Sequence, residues 1–175
     1  MIEIVQGEKK YASELVQMAI PSFLDAHAHS APKEEIDRFL SIHYSLKAFE
    51  NELTNPELVY HLVFVDSELA GFSKIILNKD HLATSSKNTT KLDRIYISKN
   101  WYGRGLAQQL LRFIIDYSKQ RDQQGMWLFT WIENHRAIGF YQKEGFMIVG
   151  SHDFKVSETH YNPNHVMYKA YHIQG

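Results

Sequence analysis

The sequence predicts a mixed α/β domain in which a sheet of about seven strands is covered by helices on both faces. Three observations lead to this prediction. Strand-like and helix-like patterns alternate along the chain, a glycine-spaced turn joins a strand directly to a helix, and neither a repeat nor a change of composition divides the sequence. With 175 residues, 44% of them hydrophobic, we expect one domain, 1–175, with a sizeable core.

The N-terminal half of the chain is predicted to supply three strands and several helices. Apolar residues recur at helical spacing from Tyr11 to Ala19, and Pro21 is expected to break or kink that helix. A second helical pattern, in one or two pieces, covers residues 33–53. The strands are predicted at about 2–6, 58–65 and 69–77, the last two forming a hairpin around residues 66–68, and a polar loop is predicted at 81–88.

A glycine-spaced turn lies between a predicted strand and a predicted helix. Residues 92–97 are rich in β-branched and aromatic side chains, as strands are, and residues 106–117 place apolar side chains on one helical face. Gly103 and Gly105 allow a tight turn, after which a helix N-terminus presents unpaired N–H groups and the positive end of its dipole. This order predicts a phosphate or pyrophosphate site, although Gly-x-Gly alone also occurs in ordinary turns.

The segment that follows strengthens this interpretation. Residues 126–131 are almost wholly apolar, as expected for a central strand covered on both faces. Asn134 is placed to cap a short helix directly after that strand, and Gly145 is placed to end it. Two more strands are predicted at about 146–154 and 165–172, with a polar turn at residues 162–164 between them.

Together these segments resemble the N-acetyltransferases of the GNAT superfamily. Tyr102-Gly103-Arg104-Gly105-Leu106-Ala107 resembles the family's (Gln/Arg)-x-x-Gly-x-(Gly/Ala) element, and Asn134…Ala137…Phe140-Tyr141…Gly145-Phe146 resembles its Asn-x-x-Ala-x-x-(Phe/Tyr)-Tyr…Gly-Phe element. Residues 72–74, 92–97 and 150–154 extend the resemblance to the PaiA-type spermidine and spermine acetyltransferases. The resemblance implies a mostly antiparallel sheet with a splayed central pair of strands, acceptor-side helices at 19–53 and an acetyl-CoA-binding core at 91–146.

The resemblance also implies which residues hold acetyl-CoA. Backbone N–H groups of the glycine turn would bind the pyrophosphate, and free main-chain groups of the splayed strand would bind the pantetheine arm and the acyl oxygen. An asparagine contact to CoA completes the set that the resemblance implies. Lys143 either meets a phosphate from the solvent side or is only solvated. The residues expected in these roles are Ile95, Tyr96, Ile97, Gly103, Arg104, Gly105, Leu106, Ala107, Gln108, Asn134 and Lys143.

Two side chains are candidates for catalysis. The resemblance assigns Tyr141 to protonation of the departing CoA thiolate, which suits a phenol because its ordinary pKa near about 10 keeps it protonated. Asp93 lies where related polyamine acetyltransferases carry a glutamate proposed to accept the amine proton through water. An ordinary aspartate, with a pKa near about 3.9, is a poor base. Asp93 would therefore need a raised pKa, or would orient a cationic substrate, or would only pair with Arg94 or another neighbour.

Two positions depart from the family pattern. Tyr102 replaces the Gln or Arg that usually opens the glycine turn, so one contact to the pyrophosphate is lost or passes to Arg104. Asn164 stands where PaiA-like proteins often carry an aspartate, three residues before Met167. This second change weakens any argument from the charge of the substrate.

The helical segment 19–53 contains acidic and histidine side chains that allow more than one interpretation. The acidic residues either meet a polycation or form a solvated helix face. Histidines two positions apart point to different sides of a helix and no second ligand pair is evident, so no metal site is predicted and packing or substrate contact is favoured. The residues concerned are Asp25, Glu34, Glu35 and Asp37, and His27, His29 and His43.

Composition restricts the remaining possibilities. A net charge of −1 without a basic stripe argues against a nucleic-acid partner. Because the chain contains no cysteine, neither a disulfide nor a cysteinyl-acyl intermediate can form, and acyl transfer would be direct, through a ternary complex. No apolar run is long enough to span a bilayer and no signal-peptide pattern is present, so we expect no membrane association and a cytoplasmic location. The sequence leaves open whether a homodimer forms.

Three functions are compatible with these observations. The leading one is an acetyl-CoA-dependent N-acetyltransferase that modifies a primary amine of a small molecule, with polyamines as the first candidates. The second is the same chemistry on a protein N-terminus or lysine, and the third is a non-catalytic acyl-CoA-binding module. A deep acidic pocket would favour a small amine and an open apolar groove a peptide, whereas Tyr141 and Asp93 together favour an enzyme over a binding module.

Overall fold

The structure is a computed structural model that describes residues 1–171, and within them a single sheet of seven strands forms the centre. The spatial order is β1-β2-β3-β4-β5-β7-β6, and every neighbouring pair is antiparallel except β4 and β5. This confirms the mixed, mostly antiparallel sheet. The strands are β1 (Ile2–Gln6), β2 (Leu58–Val65), β3 (Glu68–Ile76), β4 (Thr89–Ile97), β5 (Gly125–Trp131), β6 (Met147–Lys155) and β7 (Tyr161–Ala170).

Five α-helices of the described chain cover both faces of the sheet. Neighbouring residues of β2 point to opposite sides, as strand geometry requires: Leu62 packs into one buried cluster and Val63 into the other. The Leu62 cluster contains side chains of α1, α2 and α3, and the Val63 cluster contains those of α4 and α5. The helices are α1 (Ala12–His27), α2 (Lys33–His43), α3 (Leu46–Leu53), α4 (Leu106–Lys119) and α5 (His135–Lys143).

The two central strands, β4 and β5, separate soon after they begin. They pair in parallel only where residues 89–91 lie beside residues 125–127, and in the described chain no residue of 92–97 pairs with β5. On its other edge β4 contains a β-bulge, because Lys74 lies opposite Arg94 while Ile75 lies opposite Leu92. Asp93 is thus the extra residue of the bulge, a feature that bends a strand and redirects its side chains. The splayed central pair is confirmed.

The helix α1 does not end at Pro21. It continues to His27, so the predicted break is wrong. A proline inside a helix removes one backbone hydrogen bond, but here Ala19 and Phe23 are buried on either side of it against the sheet. Tertiary packing therefore outweighs the local effect of proline.

The segment 162–164 was predicted to be a turn and instead lies inside β7. The turn between β6 and β7 comes earlier, where the Val156 amide donates to the His160 carbonyl. Pro163 lies opposite Asp153 of β6, beyond Asn164, which is the last residue of β7 that pairs with β5. A residue without an N–H group is tolerated at the end of a ladder. The predicted end of this last strand, His172, lies outside the described residues.

Other predicted elements lie close to their expected positions. Asp66 and Ser67 form the turn between β2 and β3 with φ angles of 48° and 69°, the backbone that a two-residue hairpin turn requires. The Asn134 side chain accepts a hydrogen bond from the Ala137 amide at 3.2 Å, which confirms the predicted helix cap. In the part of the chain that the structure describes, no helix is both long and apolar enough to cross a membrane.

Gly71 of β3 packs directly against β4, and we predict that Gly71→Ala destabilises the protein. A Cβ at this position would clash with the Ile97 side chain and lie 2.6 Å from the Tyr96 carbonyl oxygen, so backbone must move. We expect the free energy of unfolding, measured by urea denaturation, to fall by about 1–3 kcal/mol.

The matched control for Gly71 is Gly139→Ala in α5, where a Cβ would meet nothing within 4 Å. Alanine favours helix more than glycine does, so this variant should be unchanged or up to about 1 kcal/mol more stable. Equal losses of stability in the two alanine variants would contradict the close packing of β3 against β4.

Candidate functional site

A cavity of about 460 Å³ lies where β4 and β5 separate, and we call it the central cavity. Its lining comes from residues 91–96 and 128–131 of the two strands, from all α-helices except α4, from β3, and from the ends of β6 and β7. The cavity brings together Asp93, Asn134 and Tyr141, which the sequence analysis singled out from separate segments.

The glycine turn presents a row of free backbone donors beside α4. Gly103 and Gly105 have φ angles of 75° and 73°, which residues with a Cβ rarely adopt. The first backbone hydrogen bond of α4 runs from the Gln109 amide to the Gly105 carbonyl at 3.0 Å. The N–H groups of residues 103–108 therefore have no acceptor within residues 1–171. A Cβ at either glycine would meet nothing within 4 Å, so the space before these donors is open to an anion.

Aromatic rings hold two arginines beside this turn. The Arg136 guanidinium lies 3.8 Å from the centre of the Tyr102 ring, and the Arg104 guanidinium lies 4.8 Å from the centre of the Trp101 ring. Tyr102, which departs from the family pattern, thus positions a cation from the start of α5. The sequence analysis did not single out Arg136, because this stacking joins residues from different elements.

The other residues expected near the turn have different surroundings. The Gln108 side chain donates to the Glu144 carboxylate, whereas its backbone N–H is free for an anion. Glu144 also accepts at its carbonyl oxygen from Lys169 at 2.6 Å, which fixes the end of α5 against β7. Leu106 is buried in the core, and Lys143 is exposed at the end of α5. A role for Lys143 stays a prediction.

Main-chain groups of β4 face the gap at alternate residues. The Ser98 amide donates to the Ala70 carbonyl at 2.9 Å, so residues 98 and 96 direct their backbone groups towards β3. Strand geometry then directs the backbone groups of Ile95 and Ile97 towards the gap left by β5. The geometry does not support a main-chain contact from Tyr96, whose hydroxyl instead lies 3.3 Å from that of Tyr44.

Tyr141 places a phenol at the wall of the central cavity. Its ring packs against Phe140 and Phe146, with centroid distances of 5.2 and 5.5 Å, and only 8% of the residue is exposed. Within the described residues, its hydroxyl has no hydrogen-bond partner. Burial raises the pKa of Tyr141 above its ordinary value, so the phenol is neutral at pH 7 and its O–H is available to donate.

Asp93 is enclosed by cations. Its two carboxylate oxygens lie 3.1 Å from Lys74 Nζ and 3.0 Å from Lys91 Nζ. Burial by itself would raise the pKa of Asp93, but the charges of Lys74, Lys91 and Arg94 together lower that pKa well below its ordinary value. An ionised, doubly paired carboxylate is a weak proton acceptor. The geometry therefore agrees with the paired-carboxylate interpretation of Asp93 and does not support its role as a base.

Glu52 of α3 forms the second carboxylate of this network and was missed by the sequence analysis. It accepts hydrogen bonds from the Tyr60 hydroxyl and from Lys74 Nζ, the latter at 3.0 Å. Arg94 Nη1 lies 3.5 Å from its other oxygen, and the Arg94 guanidinium lies 4.5 Å from the centre of the Tyr44 ring. The sequence did contain a signal for this network, because Lys74 and Arg94 are charged residues in strands that are otherwise apolar and such residues need a partner.

The opposite side of the central cavity is aromatic. Phe23 packs against Phe39 and Tyr44 at centroid distances of 5.3 and 5.2 Å. His27 and His43 also line the cavity, whereas His29 is exposed. Burial lowers the pKa of His27 to about 4, and burial together with Arg94 lowers that of His43. No group of three His, Cys, Asp or Glu side chains within residues 1–171 could hold a metal ion.

The four acidic residues that the sequence analysis considered for a polycation, Asp25, Glu34, Glu35 and Asp37, do not line the central cavity. Asp25 pairs with Lys99 of another element at 2.6 Å. Glu35 accepts a hydrogen bond from the Thr159 hydroxyl at 3.0 Å. The structure thus gives no acidic wall that these residues could present to a substrate in the cavity.

Comparison with protein families gives a match over most of the chain. The sequence model of the acetyltransferase (GNAT) family matches residues 14–146. An uncharacterized N-acetyltransferase from the pepI 3′ region of Lactobacillus delbrueckii subsp. lactis is 25% identical over 157 residues, which are 90% of this chain and 91% of that protein. The spermine/spermidine N(1)-acetyltransferase of Bacillus subtilis is 26% identical over 93 residues, 53% of this chain and 61% of that protein.

Solved structures share the fold. The PaiA N-acetyltransferase of Thermoplasma acidophilum, crystallised in complex with coenzyme A, superposes with a TM-score of 0.78. The alignment covers 98% of this chain and 99% of that chain, at 22% identity.

We predict that the half-buried His27 makes the protein less stable in mild acid. Its pKa is about 4 in the folded protein and near about 6.5 when unfolded. Between these values the unfolded chain binds a proton that the folded protein does not, so stability falls as pH falls from about 6.5 to about 4. His27→Phe keeps an aromatic ring beside Phe23 and Trp131 but cannot titrate.

The free energy of unfolding, measured by urea denaturation at pH 7 and pH 4.5, should fall by about 1–3 kcal/mol less in His27→Phe than in the unmodified protein. The exposed His29, changed to Phe, is the matched control and should leave the pH dependence as it was. If His27→Phe loses as much stability between the two pH values as the unmodified protein does, the burial argument is wrong.

Proposed function

The chain belongs to the acetyltransferase (GNAT) family, and on this premise we propose that it transfers an acetyl group from acetyl-CoA directly to a primary amine of a small molecule. One observation carries the proposal. The strand β4, which borders the gap, leads directly to the row of free amides at the start of α4. Tyr141 lines the cavity at the same gap and its phenol has no partner among the described residues.

The free amides fit the diphosphate of acetyl-CoA. N–H groups of residues 103–108 are oriented by two glycines and by the dipole of α4, which favours negative charge at that point. Arg104 and Arg136 add positive charge beside these amides, and the aromatic rings on which they lie restrict their motion. Asn134 lines the cavity at the start of α5, and Ile95 and Ile97 offer backbone groups to the acyl-bearing arm of the substrate.

Tyr141 would act at the sulfur as the thioester breaks. The amine nitrogen bonds to the acyl carbon, the carbon–sulfur bond breaks, and CoA leaves as a thiol after it receives a proton. Because the pKa of Tyr141 is raised and that of a thiol is near about 8.5, the phenol is the weaker acid. It would therefore act first as a hydrogen-bond donor that stabilises the negative charge developing on sulfur.

The incoming amine must lose a proton before it can attack. Asp93 is ill suited to accept that proton, because Lys74 and Lys91 hold it in the ionised form. His43 lines the same cavity and its pKa is lowered, so it is neutral at pH 7 and has a free nitrogen lone pair. We assign the proton to His43 and assign Asp93 to the positioning of the two lysines.

Other acceptors have weaker support. Polyamines are favoured by the partial relative that is named for spermine, whereas both carboxylates of the central cavity are already paired with cations. A protein N-terminus or lysine is the second acceptor class, and a binding module without turnover is the third. The unpartnered Tyr141 hydroxyl favours an enzyme. We keep the cytoplasmic location and the absence of a nucleic-acid partner as predictions. The sequence leaves open whether a homodimer forms.

We predict that Tyr141→Phe lowers turnover about a hundredfold to a thousandfold, the range for one hydrogen-bond donor to a charge that develops in the transition state, with acetyl-CoA affinity nearly intact. Thiol release from acetyl-CoA in the presence of amines measures the rate, and calorimetry measures affinity. Tyr117→Phe in α4 is the matched control, because Tyr117 lies outside the central cavity, and its rate should not change. Unchanged turnover in Tyr141→Phe would remove the role assigned to this phenol.

We also predict that Gly105→Val abolishes CoA binding in calorimetry. The side chain would project into the open space before the free amides, and β-branched residues resist a φ of 73°. Gly145→Val is the control for backbone strain alone, since Gly145 has a φ of 91° but lies at the end of α5. If both variants bind CoA with the affinity of the unmodified protein, the proposed diphosphate site is wrong.

A further inference from the structure

Cations outnumber carboxylates in the central cavity. Within the described chain, four cationic side chains and two carboxylates line it, and the two lining histidines are neutral at pH 7. Lys155 pairs with Glu158 at 2.9 Å, which leaves three cations to face the two carboxylates. The lining therefore carries net positive charge. A cavity of this sign attracts an acceptor with an anionic group more strongly than a polycation. The cations are Lys74, Lys91, Arg94 and Lys155, and the carboxylates are those of Glu52 and Asp93.

Both carboxylates are already engaged. Asp93 lies within 3.1 Å of two lysine ammonium groups, and Glu52 accepts from the Tyr60 hydroxyl and from Lys74. Carboxylates that are paired in this way have little remaining attraction for a further ammonium group. The net charge of the cavity lining is therefore positive, because the cations outnumber the carboxylates that pair with them.

Arg94 is a lining cation with spare hydrogen-bond donors in a planar arrangement. Its Nη1 lies 3.5 Å from Glu52 and 3.4 Å from the Tyr60 hydroxyl, distances at which hydrogen bonds are weak. Only 11% of its side chain is exposed, and its guanidinium stacks on the Tyr44 ring at 4.5 Å. A guanidinium has five N–H donors in a planar fork that matches a carboxylate. Arg94 is therefore a fixed and largely desolvated donor group at the cavity wall.

The remainder of the cavity suits an apolar body. Phe23, Phe39 and Tyr44 form one aromatic wall, and Phe129, Trp131 and Phe154 also contribute to the lining. A cavity of about 460 Å³ has room for a small molecule. An occupant that matches these surroundings combines one anionic group with an aromatic or aliphatic side chain.

Resting on the function proposed above, we infer that the acceptor is an apolar α-amino acid whose carboxylate pairs with Arg94 while its amine is acetylated. The reaction forms an amide bond between the amino nitrogen and the acetyl carbon and breaks the thioester carbon–sulfur bond. The nitrogen loses one proton, and CoA leaves as the thiol with one proton gained. The product is an N-acetylamino acid, and no oxidant, reductant or metal is required.

The unmodified protein tests this inference with matched acceptors. Phenylalanine and phenylalaninamide share a ring and an α-amine, but only phenylalanine has a carboxylate, and spermidine represents the polyamines. A charge-assisted hydrogen bond contributes about 1.5–3 kcal/mol, so we expect kcat/KM for phenylalanine to exceed that for phenylalaninamide about tenfold to a hundredfold.

Each other result of the acceptor panel has a definite meaning. A kcat/KM for phenylalaninamide or spermidine equal to or above that for phenylalanine overturns the inference and leaves the proposed function intact. If the protein binds acetyl-CoA but none of the amines in the panel causes thiol release, the proposed function and this inference are both overturned.

Variants test whether Arg94 supplies the selectivity. We expect Arg94→Gln to raise KM for phenylalanine about tenfold or more with much less effect on phenylalaninamide, and Arg94→Lys to restore part of the difference. Arg121, an exposed arginine in the turn that follows α4, supplies the control, and Arg121→Gln should not change the ratio of the two acceptors. Thermal unfolding and CoA affinity show whether each variant is folded. An unchanged ratio in folded Arg94→Gln overturns the assignment to Arg94.

Discussion

The separation of β4 from β5 is the constraint on which the rest of this structure depends. Two neighbouring parallel strands would normally satisfy each other's backbone groups, and leaving those groups unpaired inside a protein is unfavourable. Here pairing stops after Lys91 and the bulge at Asp93 bends β4 away. The sheet stays intact because β3 holds β4 along its other edge. The protein thus maintains a row of unpaired polar groups that a ligand can satisfy.

The ionic network beside the gap is the second consequence of this geometry. Strands in the middle of a sheet are normally apolar, but Lys74 and Arg94 are there with little exposure. Buried charges are costly to desolvate, and a buried ion pair often adds no stability over apolar packing. Glu52 and Asp93 offset part of that cost, but three cations of the strands meet only two carboxylates. Such an arrangement is better explained by a role in binding than by stability.

The sequence predicted those parts of the fold and site that depend on local chemistry. The glycine turn, the Asn134 cap and the hairpin at Asp66 and Ser67 follow from backbone angles and capping within a few residues. The errors at Pro21 and at residues 162–164 have the opposite cause, since packing from distant elements overrides a local preference. The charge state of Asp93 depends on lysines from two strands, so the sequence alone could not predict it for the same reason.

The two halves of the proposed site differ in how the sequence encodes them. The phosphate end uses main-chain donors over a few consecutive residues, so a short motif specifies it, and the same element can recur in proteins with different substrates. The acceptor end uses side chains from α1, α2, α3, β3 and β4, which meet only after folding. A short motif therefore identifies the donor of the acyl group but carries no information about its recipient. For the recipient, the charge and shape of the central cavity are the better guide, and in this protein they favour an anionic group beside an apolar body.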